Sequence, residues 1–72
     1  MDKRIEIRDG RNMPIGYIRE DDSIAMAFNY KKGYVGQYVK SSNITFDSLG
    51  KIFCYGNGTD TLVRQSENWG EV

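Results

Sequence analysis

The chain has 72 residues, enough for one small domain and too few for a second lobe. Ten lysine and arginine residues balance ten aspartate and glutamate residues, so no net field draws the chain to nucleic acid or to an anionic membrane surface. Its apolar runs are much shorter than the roughly 20 residues that cross a bilayer, so no membrane span is predicted.

Turn residues recur every few positions and separate segments of about four to eight residues, which is the length of strands. Within these segments apolar side chains alternate with polar or small ones. The predicted strands lie near residues 3–8, 14–20, 24–30, 34–40, 44–47, 51–55 and 60–65. No segment shows a clear 3.6-residue stripe, so no helix is predicted.

The pattern predicts one all-β domain over residues 1–72, built from consecutive antiparallel β-hairpins in a small barrel or flower arrangement, with a tail over residues 66–72. The regular apolar positions of the strands are expected to supply the core. They are Ile7, Ile15, Ile24, Met26, Phe28, Val35, Ile44, Phe46, Ile52 and Leu62.

An internal repeat runs along the predicted hairpins. Its three return strands read Ile15-Gly16-Tyr17-Ile18, Val35-Gly36-Gln37-Tyr38-Val39 and Ile52-Phe53-Cys54-Tyr55. Gly16, Gly36 and Cys54 stand at equivalent places. Because glycine weakens a strand interior, small residues there indicate a bulge or a close approach of backbone. The alternative is that they are ordinary strand residues with no shared role.

An apolar strand, an Asp-containing turn and an apolar-Gly-aromatic return strand make up this repeat, which resembles the four-fold β-flower domains, small bacterial proteins whose hairpins radiate like petals. The resemblance covers nearly the whole chain, and it implies a fold with no catalytic residue. The segment Phe46-Asp47-Ser48-Leu49-Gly50-Lys51 is also similar to one unit of the tyrosine-aspartate repeats of large β-rich shells.

The residue types argue against catalysis. The chain has no histidine, which removes the commonest general base and metal ligand. Cys54 is interpreted as a small buried hydrophobe. The adjacent carboxylates Glu20, Asp21 and Asp22 do not match the regular calcium loop, and their pattern favours a solvated turn. We therefore expect no enzyme, no metal and no cofactor.

The single cysteine also bears on location. It cannot form an internal disulfide, which suits a reducing compartment. The first residues, 1–8, are charged and alternating, whereas a secretion signal needs a continuous apolar stretch. We expect a cytoplasmic protein.

Aromatic and basic residues gather in the predicted hairpin between residues 28 and 40. Exposed tyrosines on a sheet can stack on bases or sugars while lysines meet phosphate groups. The candidate binding residues are Tyr30, Lys31, Lys32, Tyr34 and Tyr38. The competing interpretation is that Phe28 and Tyr30 belong to the core, that Tyr34 and Tyr38 pair across strands, and that the lysines cap a turn. Zero net charge favours this second interpretation.

Alternation fails at residues 52–55, which are all apolar or aromatic, so both faces of that strand need cover. A partner subunit would cover the second face, with Phe53, Tyr55 and Trp69 at the contact. The alternative is that the chain's own tail folds back over the strand. The predicted function is a non-enzymatic module for assembly or partner binding that acts as a homo-oligomer, and a nucleic-acid- or carbohydrate-binding module is the alternative.

Overall fold

The computed structural model describes residues 2–69, which form six β-strands and one α-helix. The elements are β1 (Lys3–Arg8), β2 (Pro14–Glu20), β3 (Ile24–Asn29), β4 (Gly33–Val39), β5 (Ile44–Asp47), β6 (Ile52–Tyr55) and α1 (Thr59–Ser66). The last residues of the predicted tail, 70–72, lie outside the described residues. Within residues 2–69, no helix has the length and hydropathy needed to cross a membrane.

Each strand pairs with the next one in antiparallel orientation, so the sheet order follows the chain order from β1 to β6. Tight turns suffice for this order because antiparallel neighbours need no crossover. The predicted all-β fold of consecutive antiparallel hairpins is confirmed. The hairpins lie side by side in one open sheet, in which β1 and β6 are the two edges.

Three hairpins carry the same irregularity, as the repeat predicts. In the β1–β2, β3–β4 and β5–β6 pairs the register shifts by one residue on the return strand. The extra residues are Ile15, Val35 and Phe53, and each is followed by the small residue of the repeat. The expected bulge is therefore present in all three copies.

The turns that precede these bulges share one construction. Asp9, Asn29 and Asp47 each accept two backbone N–H bonds on the side-chain Oδ1, at 2.8–3.1 Å. The carbonyl oxygen of each also accepts the N–H of the residue three positions later. A short side chain that bonds its own turn in this way defines an Asx turn, which explains why Asp or Asn stands at all three places.

Glycines in β2 and β4 let α1 lie directly on the sheet. A Cβ added at Gly16 would stand 2.7 Å from Val63 Cγ1, and one added at Gly36 would overlap the Leu62 side chain. Both positions also abut a carbonyl oxygen of the neighbouring strand. The predicted close approach is confirmed, and the element that approaches is the helix.

The predicted seventh strand, residues 60–65, is wrong, because this segment belongs to α1. The buried residues of the helix are Thr59, Leu62, Val63 and Ser66. Their spacing of i, i+3, i+4 and i+7 is a single helical face. Two of the four are small polar residues, so the stripe is not visible as an apolar pattern.

The core lies between α1 and one face of the sheet. Its buried residues are Ile7, Ile15, Ile18, Ala25, Ala27, Val35, Leu62 and Val63. Four of the predicted core residues, Ile7, Ile15, Val35 and Leu62, are confirmed. In β3 the prediction of which alternate residues face the core is wrong, because the fully buried residues are the alanines and not the larger side chains between them. Close docking of the helix requires small residues beneath it.

The remaining predicted core residues lie outside this core. They are Ile24, Met26, Phe28, Ile44 and Phe46, which are half-buried, and Ile52, which is exposed. All of them belong to the face of the sheet that α1 does not cover. We call it the helix-free face.

Candidate interaction surface

Strand register defines the residues of the helix-free face, because partners in an antiparallel ladder project from the same side of the sheet. Ala25 and Ala27 face α1, so their neighbours in β3 face away from it. The three cross-strand rows that follow are Glu6–Tyr17–Phe28–Tyr34, Arg4–Arg19–Met26–Gln37–Phe46–Ile52 and Ile24–Val39–Ile44–Tyr55.

Aromatic rings form a continuous contact along the first row. The ring of Phe28 stacks on that of Tyr17 with centroids 4.8 Å apart, and its other neighbour, Tyr34, meets it edge-on at 5.9 Å. Tyr30 tilts against Tyr17 at 5.6 Å. Offset and edge-on pairs of this kind stabilise a sheet beyond the area they bury. The pKa of Tyr34 is raised, mainly by partial burial of its side chain and secondly by the negative charge of Asp47.

Charged side chains occupy the β1–β2 end of the face. The guanidinium carbon of Arg4 lies 3.9 Å above the Tyr17 ring, and its Nη2 donates to the Tyr30 hydroxyl at 3.1 Å. That hydroxyl in turn donates to Glu6 at 3.1 Å, and Glu6 pairs with Arg8 at 2.6 Å. These groups satisfy one another and leave the aromatic row with one polar end.

The β3–β6 part of the same face is uncharged, and we call it the apolar half. Its residues are Ile24, Met26, Phe28, Tyr34, Gln37, Val39, Ile44, Phe46, Ile52 and Tyr55. Exposure is greatest at the β6 edge, where Ile52 is 53% and Tyr55 is 77% exposed. A row of large exposed apolar side chains at the margin of an apolar face is typical of a contact surface.

The predicted binding residues do not form one platform. Tyr30 and Tyr34 belong to the aromatic contacts of the helix-free face. Tyr38 packs against the core on the opposite side, where its hydroxyl donates to Asn43 Oδ1 at 2.8 Å. Lys31 and Lys32 lie in the turn after β3, and the Lys32 ammonium donates to the backbone carbonyl of Trp69.

The three predicted interface residues are also divided between the two sides of the sheet. Tyr55 is on the helix-free face. Phe53 and Trp69 pack against the core on the other side, and both line an open pocket of about 540 Å³ beside Leu49. The chain after β6 turns back over the sheet as α1, which packs on β1 to β4, and Ile52 and Tyr55 stay uncovered.

Cys54 is half-buried, and its thiol lies 3.9 Å from the Gly56 carbonyl oxygen. Across residues 2–69, no three Cys, Asp or Glu side chains cluster in a way that could hold a metal ion. The carboxylates at the β2–β3 turn serve structure, since Asp21 Oδ1 accepts the backbone N–H groups of Ser23 and Ile24.

Six residues of the apolar half, Ile24, Met26, Phe28, Ile44, Phe46 and Ile52, were predicted from the sequence to be core. The alternation of β3 to β6 carries the signal that one face is apolar. The alternation does not indicate where the helix lies, and the position of the helix determines which face is buried. No protein-family model, no curated protein and no solved structure matches this chain.

Proposed function

We propose that this protein is a non-enzymatic assembly module that acts as a homo-oligomer through the helix-free face. One observation carries the proposal: α1 covers a single face of the sheet, while ten uncharged side chains lie together on the other. A sheet of this kind is half of a sandwich, and a second layer is the usual partner of an apolar sheet face.

The energetic reason is the size of the core. Among residues 2–69, eight buried hydrophobic side chains between one helix and one sheet form the core, which is thin for a chain of 72 residues. Covering further apolar surface contributes about 25 cal/mol for each Å² removed from water. Association through the apolar half therefore adds stability that the isolated chain lacks, as small domains often require.

The alternative, a nucleic-acid- or carbohydrate-binding module, has less support. Tyr30 and Tyr34 are 46% and 38% exposed, but each already contacts a neighbouring ring, Tyr17 and Phe28 respectively. Arg4, the cation nearest to them, lies over the Tyr17 ring and bonds Tyr30. The candidate set is also split, since Tyr38 packs on the helix side.

Two further parts of the proposal concern family and location. Membership of the four-fold β-flower family is proposed on the resemblance of the sequence repeat alone. A free cysteine supports a cytoplasmic role, because reduced thiols persist in that compartment.

Light scattering on the wild-type protein over a wide dilution range tests the proposal. We expect a mass that is a multiple of 8.3 kDa at the concentrated end and falls on dilution. A monomeric mass at every concentration would contradict it. Capture of mixed nucleic acids that weakens steeply with salt would favour the alternative.

A further inference from the structure

We infer that the helix-free face is covered by a second copy of this chain, packed face to face about a two-fold axis with the apolar half of one copy on the apolar half of the other. This inference rests on the proposed function and names the partner of the same surface. It commits to the sheet face, and not to a sheet edge, as the contact.

The distribution of charge on the face supports a self-complementary contact. The apolar half carries no lysine, arginine, aspartate or glutamate in its three rows. The charged residues of the face, Arg4, Glu6, Arg8 and Arg19, all lie on β1 and β2. An uncharged centre with charged groups at its margin is the usual anatomy of a protein interface. A two-fold axis through the apolar half puts like surfaces together without opposing like charges at the centre.

The size of the face favours a partner of the same size. The chain measures 33 × 27 × 18 Å, and a sheet with one helix layer accounts for the shortest dimension. The whole sheet face therefore spans at most about 900 Å², and the apolar half, which is four of its six strands, takes up about 600 Å² of it. Two apolar halves in full overlap bury about 1,200 Å² in total, which is the lower end of the range for a specific interface, and a second copy offers a face of matching size.

The sheet edges offer a poorer contact. β1 carries four charged residues among its six, and charges on an edge strand oppose pairing with another chain. β6 is uncharged but has only four residues, so it could add few backbone hydrogen bonds. Its two most exposed side chains, Ile52 and Tyr55, point to the helix-free face and would be left uncovered by pairing at the edge.

Ile52→Arg is the variant that tests the contact, and Met13→Arg is its matched control. Ile52 is on the helix-free face and is 53% exposed, while Met13 is in the β1–β2 turn and is 56% exposed. Two unpaired arginines would enter each two-fold contact, so we expect Ile52→Arg to raise the dissociation constant by at least about 100-fold. Met13→Arg should associate like the wild type.

The outcomes separate the inference from the proposed function. An oligomeric wild type with an equally oligomeric Ile52→Arg overturns the face-to-face contact and leaves assembly standing. A monomeric wild type contradicts both. Dissociation by Met13→Arg to the same extent as by Ile52→Arg also overturns the contact, because the effect would then not be specific to the face. Far-ultraviolet circular dichroism of each variant checks that the sheet is retained.

Iodination of tyrosine in the wild-type protein gives a second measurement that no folding defect can obscure. Tyr55 is 77% exposed in the single chain and is covered in the two-fold contact. When nine-tenths of the chains are associated, iodination of Tyr55 should be about tenfold slower than at high dilution, because only the free fraction reacts. Mass spectrometry of the Tyr55 peptide reads this rate. An equal rate at both ends of the dilution series, with association confirmed, would overturn the inference.

Discussion

The side-chain amide of Asn29 donates hydrogen bonds to Ser66 Oγ at 2.8 Å and to Glu67 Oε2 at 2.7 Å, and so ties the end of α1 to the turn after β3. Its Oδ1 accepts the backbone N–H groups of Lys31 and Lys32. Asn29 is almost fully buried, so one side chain closes the turn and anchors the helix in a place that water does not reach.

Replacement of Asn29 by Asp separates these two roles. A carboxylate still accepts the turn N–H groups, but it cannot donate to Ser66 and it repels Glu67. We expect Asn29→Asp to lower the free energy of unfolding by about 2–3 kcal/mol. Asp9→Asn, at the equivalent turn without a docked helix, should change it by less than about 0.5 kcal/mol. Urea unfolding measures both, and equal effects would show that Asn29 does not anchor α1.

The close contact of α1 with β2 predicts intolerance of any side chain at Gly16. A Cβ there would meet Val63 Cγ1 at 2.7 Å and overlap the backbone carbonyl of Phe28. We expect Gly16→Ala to cost about 2 kcal/mol or more, since a packed interface cannot absorb the extra atom. Gly10→Ala, where nothing lies within 4 Å, is the control in the same hairpin. A thermal midpoint for Gly16→Ala as high as that of Gly10→Ala would contradict the close packing.

Leu62 should be among the most sensitive side chains of the helix, because it is fully buried between α1 and the sheet. Truncation to alanine leaves a cavity, so we expect Leu62→Ala to lower the free energy of unfolding by about 2–5 kcal/mol. Leu49 is 78% exposed in the β5–β6 turn, and Leu49→Ala should change it by less than about 0.5 kcal/mol. Retention of full stability by Leu62→Ala would mean that α1 contributes little to the fold.

Two carboxylates next to the β2–β3 turn bind protons more weakly in the folded chain. The backbone N–H groups of Ile24 and then Ser23 lower the pKa of Asp21 below its usual 3.8. The hydrogen bond from Lys40, at 2.9 Å, and then its charge lower the pKa of Glu20 below its usual 4.5. Both interactions stabilise the ionised form of the carboxylate.

Stability should therefore fall on acidification. Because their pKa values are lowered on folding, Asp21 and Glu20 contribute fully to stability at a pH above their usual pKa values. This contribution is lost as the pH falls through the lowered pKa values of the folded chain. We expect the thermal midpoint to decrease below about pH 4.5. Asp21→Asn keeps an oxygen that accepts the same N–H bonds but does not titrate, so its decrease should be shallower. Superimposable acid profiles of the variant and the wild type would contradict this account.

Six strands could be predicted from the sequence because their signals are local. Period-two alternation and the Asx turns at Asp9, Asn29 and Asp47 are both encoded within a few residues. The repeat also predicts the bulges, because Gly16 and Gly36 directly follow the extra residue of the return strand. These features need no knowledge of the rest of the chain.

The helix and the buried face could not be predicted in the same way. The buried stripe of α1 includes Thr59 and Ser66, and it is only eight residues long, so its period is weak. In β3, alternation separates Met26 and Phe28 from Ala27 but does not say which set the helix covers. Tertiary packing makes that choice, and it favours the small residue.

Because the sequence does not indicate which face of the sheet the helix covers, the predicted interface residues are divided between the two faces. The broken alternation of β6 predicts that both of its faces need cover, and Ile52 and Tyr55 on the helix-free face are exposed in the single chain. On the Phe53 side, Phe53 and Trp69 pack against the core and line one open pocket. Tyr55 is the predicted interface residue that lies on the helix-free face.

Methyl NMR spectra of the wild-type protein over a dilution series test the central claim most directly. We expect the signals of Ile44 and Ile52, on the helix-free face, to move with concentration. The signals of Leu62 and Val63, on the buried side of α1, should stay in place. Spectra that do not depend on concentration, or changes confined to the helix side, would contradict assembly through the helix-free face.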